Sequence, residues 1–133
     1  MNLNVLIIDD DKMIVLLHKV MVARSKLSET PLSFNDGKIA LEFLQTEFKE
    51  DQHYLILLDI NMPVMNGWEF LDAIQAMPFA QKILVIMVTS SVDTGDKIKA
   101  KQYSQVIHFL EKPLKMDTCN YIKTLPAVVS FFS

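Results

Sequence analysis

"YLILLDINMPVMNGWEF", residues Tyr54–Phe70, sets a single acid, Asp59, at the end of an apolar run and follows it with turn residues, Met62-Pro63 and Asn66-Gly67. Leu55, Ile56, Leu57 and Leu58 carry no polar interruption, which predicts a strand buried on both faces, as in a parallel sheet. A carboxylate beside such a core is costly unless it is paired, metal-bound or at a solvent-facing rim. Asp59 therefore marks an edge where the strand meets chemistry.

Outward from this strand, strand and helix patterns alternate. "LNVLII" (3–8) predicts a first strand, and residues 12–25 a helix, with Met13, Leu16, Leu17 and Val20 and also Ile14, Leu17 and Met21 at helical spacing. "PLSF" (31–34) predicts a short strand, and "NDG" (35–37) opens a helix to about residue 49 with Ile39, Phe43, Leu44 and Phe48 on one side. Asn66-Gly67 starts a third helix carrying Phe70, Leu71 and Ile74, which stops near Pro78. "KILVIMV" (82–88) is a fourth strand, 94–103 a Lys-rich helix, "VIHFL" (106–110) a fifth strand, and 115–125 a last helix ended by Pro126. This alternation with short connections predicts a parallel sheet with helices on both faces and right-handed crossovers.

In such open sheets, ligands sit beyond the carboxyl ends of the strands, where the strand order reverses. The strand ends here are Asp9-Asp10-Asp11, Asp59, Thr89 and Lys112-Pro113. Clustered carboxylates call for a hard cation, and Mg²⁺ needs only one or two of them while keeping positions for water and phosphate oxygens. A hydroxyl and an ammonium opposite would suit phosphoryl oxygens, so the set predicts phosphoryl transfer. Acids after a first strand also cap the following helix, and Asp11 is the better capping candidate.

The 133 residues suit one domain, half of them apolar and 22% charged, so a folded globule is expected. The formal charge of −3 argues against direct nucleic-acid binding. The single cysteine, Cys119, excludes an internal disulfide. With no secretory pattern at the N-terminus and no run approaching the roughly 18 apolar residues of a membrane span, the expectation is a soluble, cytoplasmic domain.

Taken together, "VLIIDDD", "LLDINMPVMNGWEF", "ILVIMVTSS" and "FLEKPL" resemble the receiver domain of bacterial two-component response regulators. The resemblance implies a flavodoxin-like, doubly wound five-stranded sheet in the order 2-1-3-4-5, spanning residues 1–126, with 127–133 a short apolar tail. It implies that Asp59 is the phosphoacceptor, Asp10 a direct Mg²⁺ ligand, Asp9 an indirect one, and that Asn61 offers its backbone carbonyl to the metal. Thr89 and Lys112 would hold the phosphoryl group, Phe109 would be the aromatic switch, and the Lys112–Pro113 peptide would be cis. Asn61 and Ser91 stand where the family tunes phosphate lifetime.

The implied partners are a histidine kinase or phosphotransfer protein and an unidentified output protein. The output face would be the fourth helix, fifth strand and fifth helix, around Lys97, Lys101, Phe109 and Lys115, with homodimerisation through that face and the apolar tail as a variant. Phe109 replaces the tyrosine of some members, Pro126 breaks the last helix ahead of "AVVSFF", and no DNA-binding or catalytic output domain is visible.

Three rivals are distinguishable. A haloacid-dehalogenase-like phosphatase would want an acid two residues past Asp59, where Asn61 stands. A flavodoxin-like cofactor protein would need a phosphate loop where "DDDK" offers acids. A receiver-like interaction module that signals without phosphorylation should lack Asp59, the acid pair or Lys112, and all are present. His18, His53 and His108 fall on separate elements, which argues against a three-histidine metal site, and Trp68 and Phe70 read as packing residues.

Overall fold

The alternation of strand and helix carries through the computed structural model, which describes residues 2–90 and 93–132. In chain order the elements are β1 (Asn2–Ile8), α1 (Lys12–Arg24), β2 (Leu32–Phe34), α2 (Gly37–Glu47), β3 (Gln52–Leu58), α3 (Gly67–Gln75), β4 (Ile83–Thr89), α4 (Thr94–Ala100), β5 (Val106–Glu111) and α5 (Met116–Ile122). Short 3-10 turns cover Ala80–Lys82 and Val129–Phe131. The strands form one parallel sheet in the order β2-β1-β3-β4-β5. This is the doubly wound order expected, and it reverses between β1 and β3, the strands directly followed by Asp9 and Asp59. Ser91 lies outside the described residues.

Side-chain alternation explains the unbroken apolar runs. Leu6, Ile8, Ile56, Leu58, Val85 and Met87 face a core closed by Ala40, Leu44, Phe70, Leu71, Ile74 and Ala100 of α2, α3 and α4. Val5, Ile7, Leu55, Leu57, Ile86 and Val88 face the other core, closed by Val15, Val22, Cys119 and Ile122 of α1 and α5. Both faces of the central strands are covered over residues 5–8, 54–58 and 85–88, so those stretches have to be apolar. Each such side chain contributes about 1.5–3 kcal/mol by leaving water.

α1 turns a different face inward than its apolar spacing suggests, whereas α2 keeps the expected face but for one residue. In α1 the buried residues are Val15, His18 and Val22, while Met13, Leu16, Leu17 and Val20 stay exposed. Along α2, Leu44 is buried with Ala40, and Phe43 and Phe48 pack against the same core as expected, while Ile39 is exposed. α5 also stops at Ile122, short of the expected residue 125. Beyond it the amides of Thr124 and Leu125 bond to the carbonyls three residues back, and Pro126, which has no amide proton, cannot extend the helix.

The chain then folds back along the sheet. Val128 is fully buried in the α1/α5 core, the Phe131 ring packs on His53 near the start of β3, and the Lys123 ammonium sits over the Phe132 ring. This end of the sheet lies opposite the acidic rim. Among the described residues, no helix is long and apolar enough to cross a membrane.

Candidate functional site

Asp9 follows β1 and Asp59 follows β3, and in-register pairing of Ile8 with Leu58 sets the two acids side by side. The Asp59 amide donates to the Ile8 carbonyl at 3.0 Å, and the Asp9 amide to the Phe34 carbonyl of β2 at 3.1 Å. Both acids are buried, whereas Asp10 is exposed. Asp11 caps α1 instead, accepting from the amides of Met13 and Ile14 at 3.0 and 3.2 Å. Carboxylate oxygens of Asp9, Asp10 and Asp59 all lie within 4.8 Å of one another. Such an all-oxygen set is suited to a hard divalent cation such as Mg²⁺.

Lys112 enters the same cleft from the end of β5. Its ammonium donates to Asp9 Oδ2 at 2.7 Å and lies 3.5 Å from Asp59 Oδ2. Its amide donates to the Thr89 carbonyl at 2.7 Å, which ties it to the last residue of β4. Thr89 is buried and in register with Glu111. The Lys112–Pro113 peptide is cis. Asp9 is thereby held from two sides, since its Oδ1 also accepts from the Asp11 amide at 2.9 Å.

The β3–α3 loop fits closely beneath Asp59. Asn66 and Glu69 form a reciprocal capping box that starts α3, and the Gly67 amide donates to the Ile60 carbonyl at 2.8 Å. A Cβ on Gly67 would stand 2.5 Å from the Asp59 carbonyl oxygen and 2.9 Å from the Ile60 Cα. Glycine is required there by space, and the approach is backbone on backbone. Val64, in the same loop, has φ 69°, a costly conformation for a β-branched residue.

Burial and the neighbouring Asp9 charge raise the Asp59 pKa to about 6, with Lys112 opposing. Burial alone would lower the Lys112 pKa, but its hydrogen bond to Asp9 and the two carboxylate charges outweigh it, and the ammonium is raised. Carboxylates crowded this closely, with one cation between them, have charge to spare for a metal.

Asn61 is exposed two residues past Asp59, in the loop. Phe109 is half-buried on β5 opposite Met87 and lines a cavity of about 350 Å³ with Lys97, Ala100, Lys101, Val106, Ile107 and His108. Lys115 begins α5 outside that cavity's lining. Trp68 packs on Tyr103 with the Lys99 ammonium over its ring, and Phe70 is core. Reading the sequence missed His18, a buried side chain bonded to the segment just after Lys112. The sequence spaces it one turn from Val15 and Val22, but does not say that this side of α1 turns inward.

The fold and this cleft define a doubly wound domain with an acidic rim at its topological switch point. The response regulator receiver domain family model matches residues 5–121. The chain is 30% identical over 97 residues to "Response regulator Rcp1" of Synechocystis sp., covering 71% of this chain and 66% of that protein. It is 31% identical over 122 residues to "Transcriptional regulatory protein MalR" of Bacillus subtilis, covering 86% of this chain and 46% of that protein. A two-component response regulator from Cytophaga hutchinsonii superposes with a TM-score of 0.82 at 28% identity, over 97% of this chain and 98% of that one. The chain thus spans just under two thirds of the first relative and under half of the second. This chain belongs to the response regulator receiver domain family.

Proposed function

We propose that the Asp59 carboxylate accepts a phosphoryl group from a phosphohistidine on a histidine kinase or phosphotransfer protein. The donor's P–N bond breaks as the bond from an Asp59 oxygen to phosphorus forms, and the imidazole leaves with the electron pair. The observation that carries this reading is the Lys112 ammonium bridging Asp9 and Asp59, 2.7 and 3.5 Å away, beside three convergent carboxylates. Lys112 offsets charge on the transferring oxygens, and the Thr89 hydroxyl donates a hydrogen bond to one of them. Asp10, Asp59 and the Asn61 carbonyl would hold Mg²⁺, with Asp9 acting indirectly, and the bound ion would offset charge on the carboxylates and the phosphoryl oxygens.

Phosphorylation adds a group of about −2 charge, whose oxygens draw Thr89 inward and let Phe109 rotate towards the vacated space. The altered α4-β5-α5 face, with Lys97, Lys101, Phe109 and Lys115, is then read by an output protein or by a second copy of the chain. The same reading treats residues 1–126 as the receiver unit, 127–133 as its apolar tail, and the cytoplasm as its setting.

Mass spectrometry after incubation with acetyl phosphate and Mg²⁺ tests this. A labile adduct on Asp59 is expected, absent in Asp59→Asn and strongly reduced in Lys112→Ala. Equal labelling of Asp59→Asn would refute the assignment.

A further inference from the structure

Of the buried polar residues outside the chemistry proposed above, Ser25, Gln105 and His18, the last reaches back to the site. His18 lies on the inward face of α1, only 1% exposed, between Val15 and Val22. Its Nε2 accepts a hydrogen bond from the Leu114 amide at 3.0 Å, across 96 residues of sequence. An imidazole nitrogen that accepts from a backbone amide carries no proton, so His18 is the neutral Nδ1–H tautomer. Burial agrees with this, because it lowers the His18 pKa to about 4.

The bond falls at a sensitive place. Pro113 has no amide proton, so Leu114 offers the first one after Lys112. Leu114 is itself 1% exposed, and without His18 its amide would be buried with no acceptor. The contacts form a closed ring. Asp9 holds the Lys112 ammonium and the Asp11 amide, Asp11 caps α1, α1 carries His18, and His18 holds the residue two beyond Lys112.

We propose that His18 is a positioning residue for Lys112: its Nε2 anchors the β5–α5 turn and so sets the ammonium between Asp9 and Asp59. His18 touches no reacting group. It acts through the lysine, and the rate effect expected of it rests on Asp59 being the phosphoacceptor.

The test compares His18→Leu, which fills the space without an acceptor, with His18→Gln, which returns one at similar reach. With acetyl phosphate and Mg²⁺, His18→Leu should label Asp59 about tenfold more slowly at saturating donor, a cost typical of a small misplacement. Its Mg²⁺ affinity should stay within about twofold of the parent, and His18→Gln should recover most of the rate. In a Lys112→Ala background, His18→Leu should cost nothing further, because the residue it positions is gone. Wild-type labelling in His18→Leu would overturn the proposal, as would an equal loss with and without Lys112.

Two NMR readouts stand apart from phosphorylation. The Lys112 Cε and Nζ resonances should move in His18→Leu and stay in His18→Gln, and unmoved resonances in both would overturn the proposal. If the parent protein is not labelled at all, the Asp59 reading fails while these resonances still decide the role of His18. Should His18→Leu not fold, the parent's own imidazole ¹⁵N spectrum decides: a protonated Nε2 would overturn the proposal, and a bare one uphold it.

Discussion

At Gly67 a single methyl group would meet the backbone that carries Asp59, 2.5 Å from its carbonyl oxygen. Neither partner is a flexible side-chain end, so relief requires moving the strand end itself. We expect Gly67→Ala to cost about 2–3 kcal/mol in urea unfolding and to weaken Mg²⁺ binding together with it. Parent-like stability with intact metal binding would show that the loop relaxes freely. Asp59 carries a second prediction at this scale. Its pKa is 3.8 in its ordinary state and about 6 in the fold, so between those values the folded protein binds more protons than the unfolded chain. Stability therefore falls as pH rises through that window, and the full cost is present above about pH 6. Without divalent cations, Asp59→Asn should be more stable than the parent by about 2 kcal/mol at pH 7.5, converging with it near pH 4. His18 has the opposite sign: it is lowered from 6.5 to about 4, so its contribution is lost as pH falls through the same range. Asp59→Asn should therefore lose stability on acidification between pH 6.5 and 4 more steeply than the parent. Urea titrations in EDTA measure both, and a difference independent of pH would reject the Asp59 assignment.

Helix starts were legible in the sequence where a short polar side chain stood ahead of an apolar period. Asp11, Asp36, Asn66 and Asp93 each accept amides at the first turn of their helices. The buried face of α1 was not legible. "MIVLLHKVMV" is apolar almost all round, so its period announces a helix without choosing a side. Packing on the sheet chose Val15, His18 and Val22 and left Met13, Leu16, Leu17 and Val20 in water. The segment after Pro126 was equally silent, because an apolar stretch that short reads alike as a loose tail or a docked one. Val128 is fully buried against the α1/α5 core, so truncation after Pro126 should cost about 2–3 kcal/mol. Exposed Val129 should tolerate alanine within about 0.5 kcal/mol. Thermal unfolding of the two variants checks the contrast, and an unaffected truncation would mean the tail does not hold.

Across the molecule, the acidic rim and the Phe109 cavity are joined by β4 and β5, through Thr89 paired with Glu111 and Met87 paired with Phe109. If the proposed switch runs along these strands, beryllofluoride with Mg²⁺ should shift amide resonances within residues 94–116 as well as around Asp9, Asp10 and Asp59. The two populations need differ by only a few kcal/mol, so partial shifts before saturation are consistent with fast exchange between them. Shifts confined to the carboxylates would reject the route. The sequence by itself determined the order of strands and helices, the burial of both sheet faces, and the acids, hydroxyl and lysine at the strand ends, because each is written in residues that are neighbours in the chain. Only the tertiary structure decided that Lys112 meets Asp9 across 103 residues, that Gly67 presses on Asp59, and which side of α1 faces inward. Those are distances between segments, set by how two apolar sheet faces pack, and no local pattern encodes them.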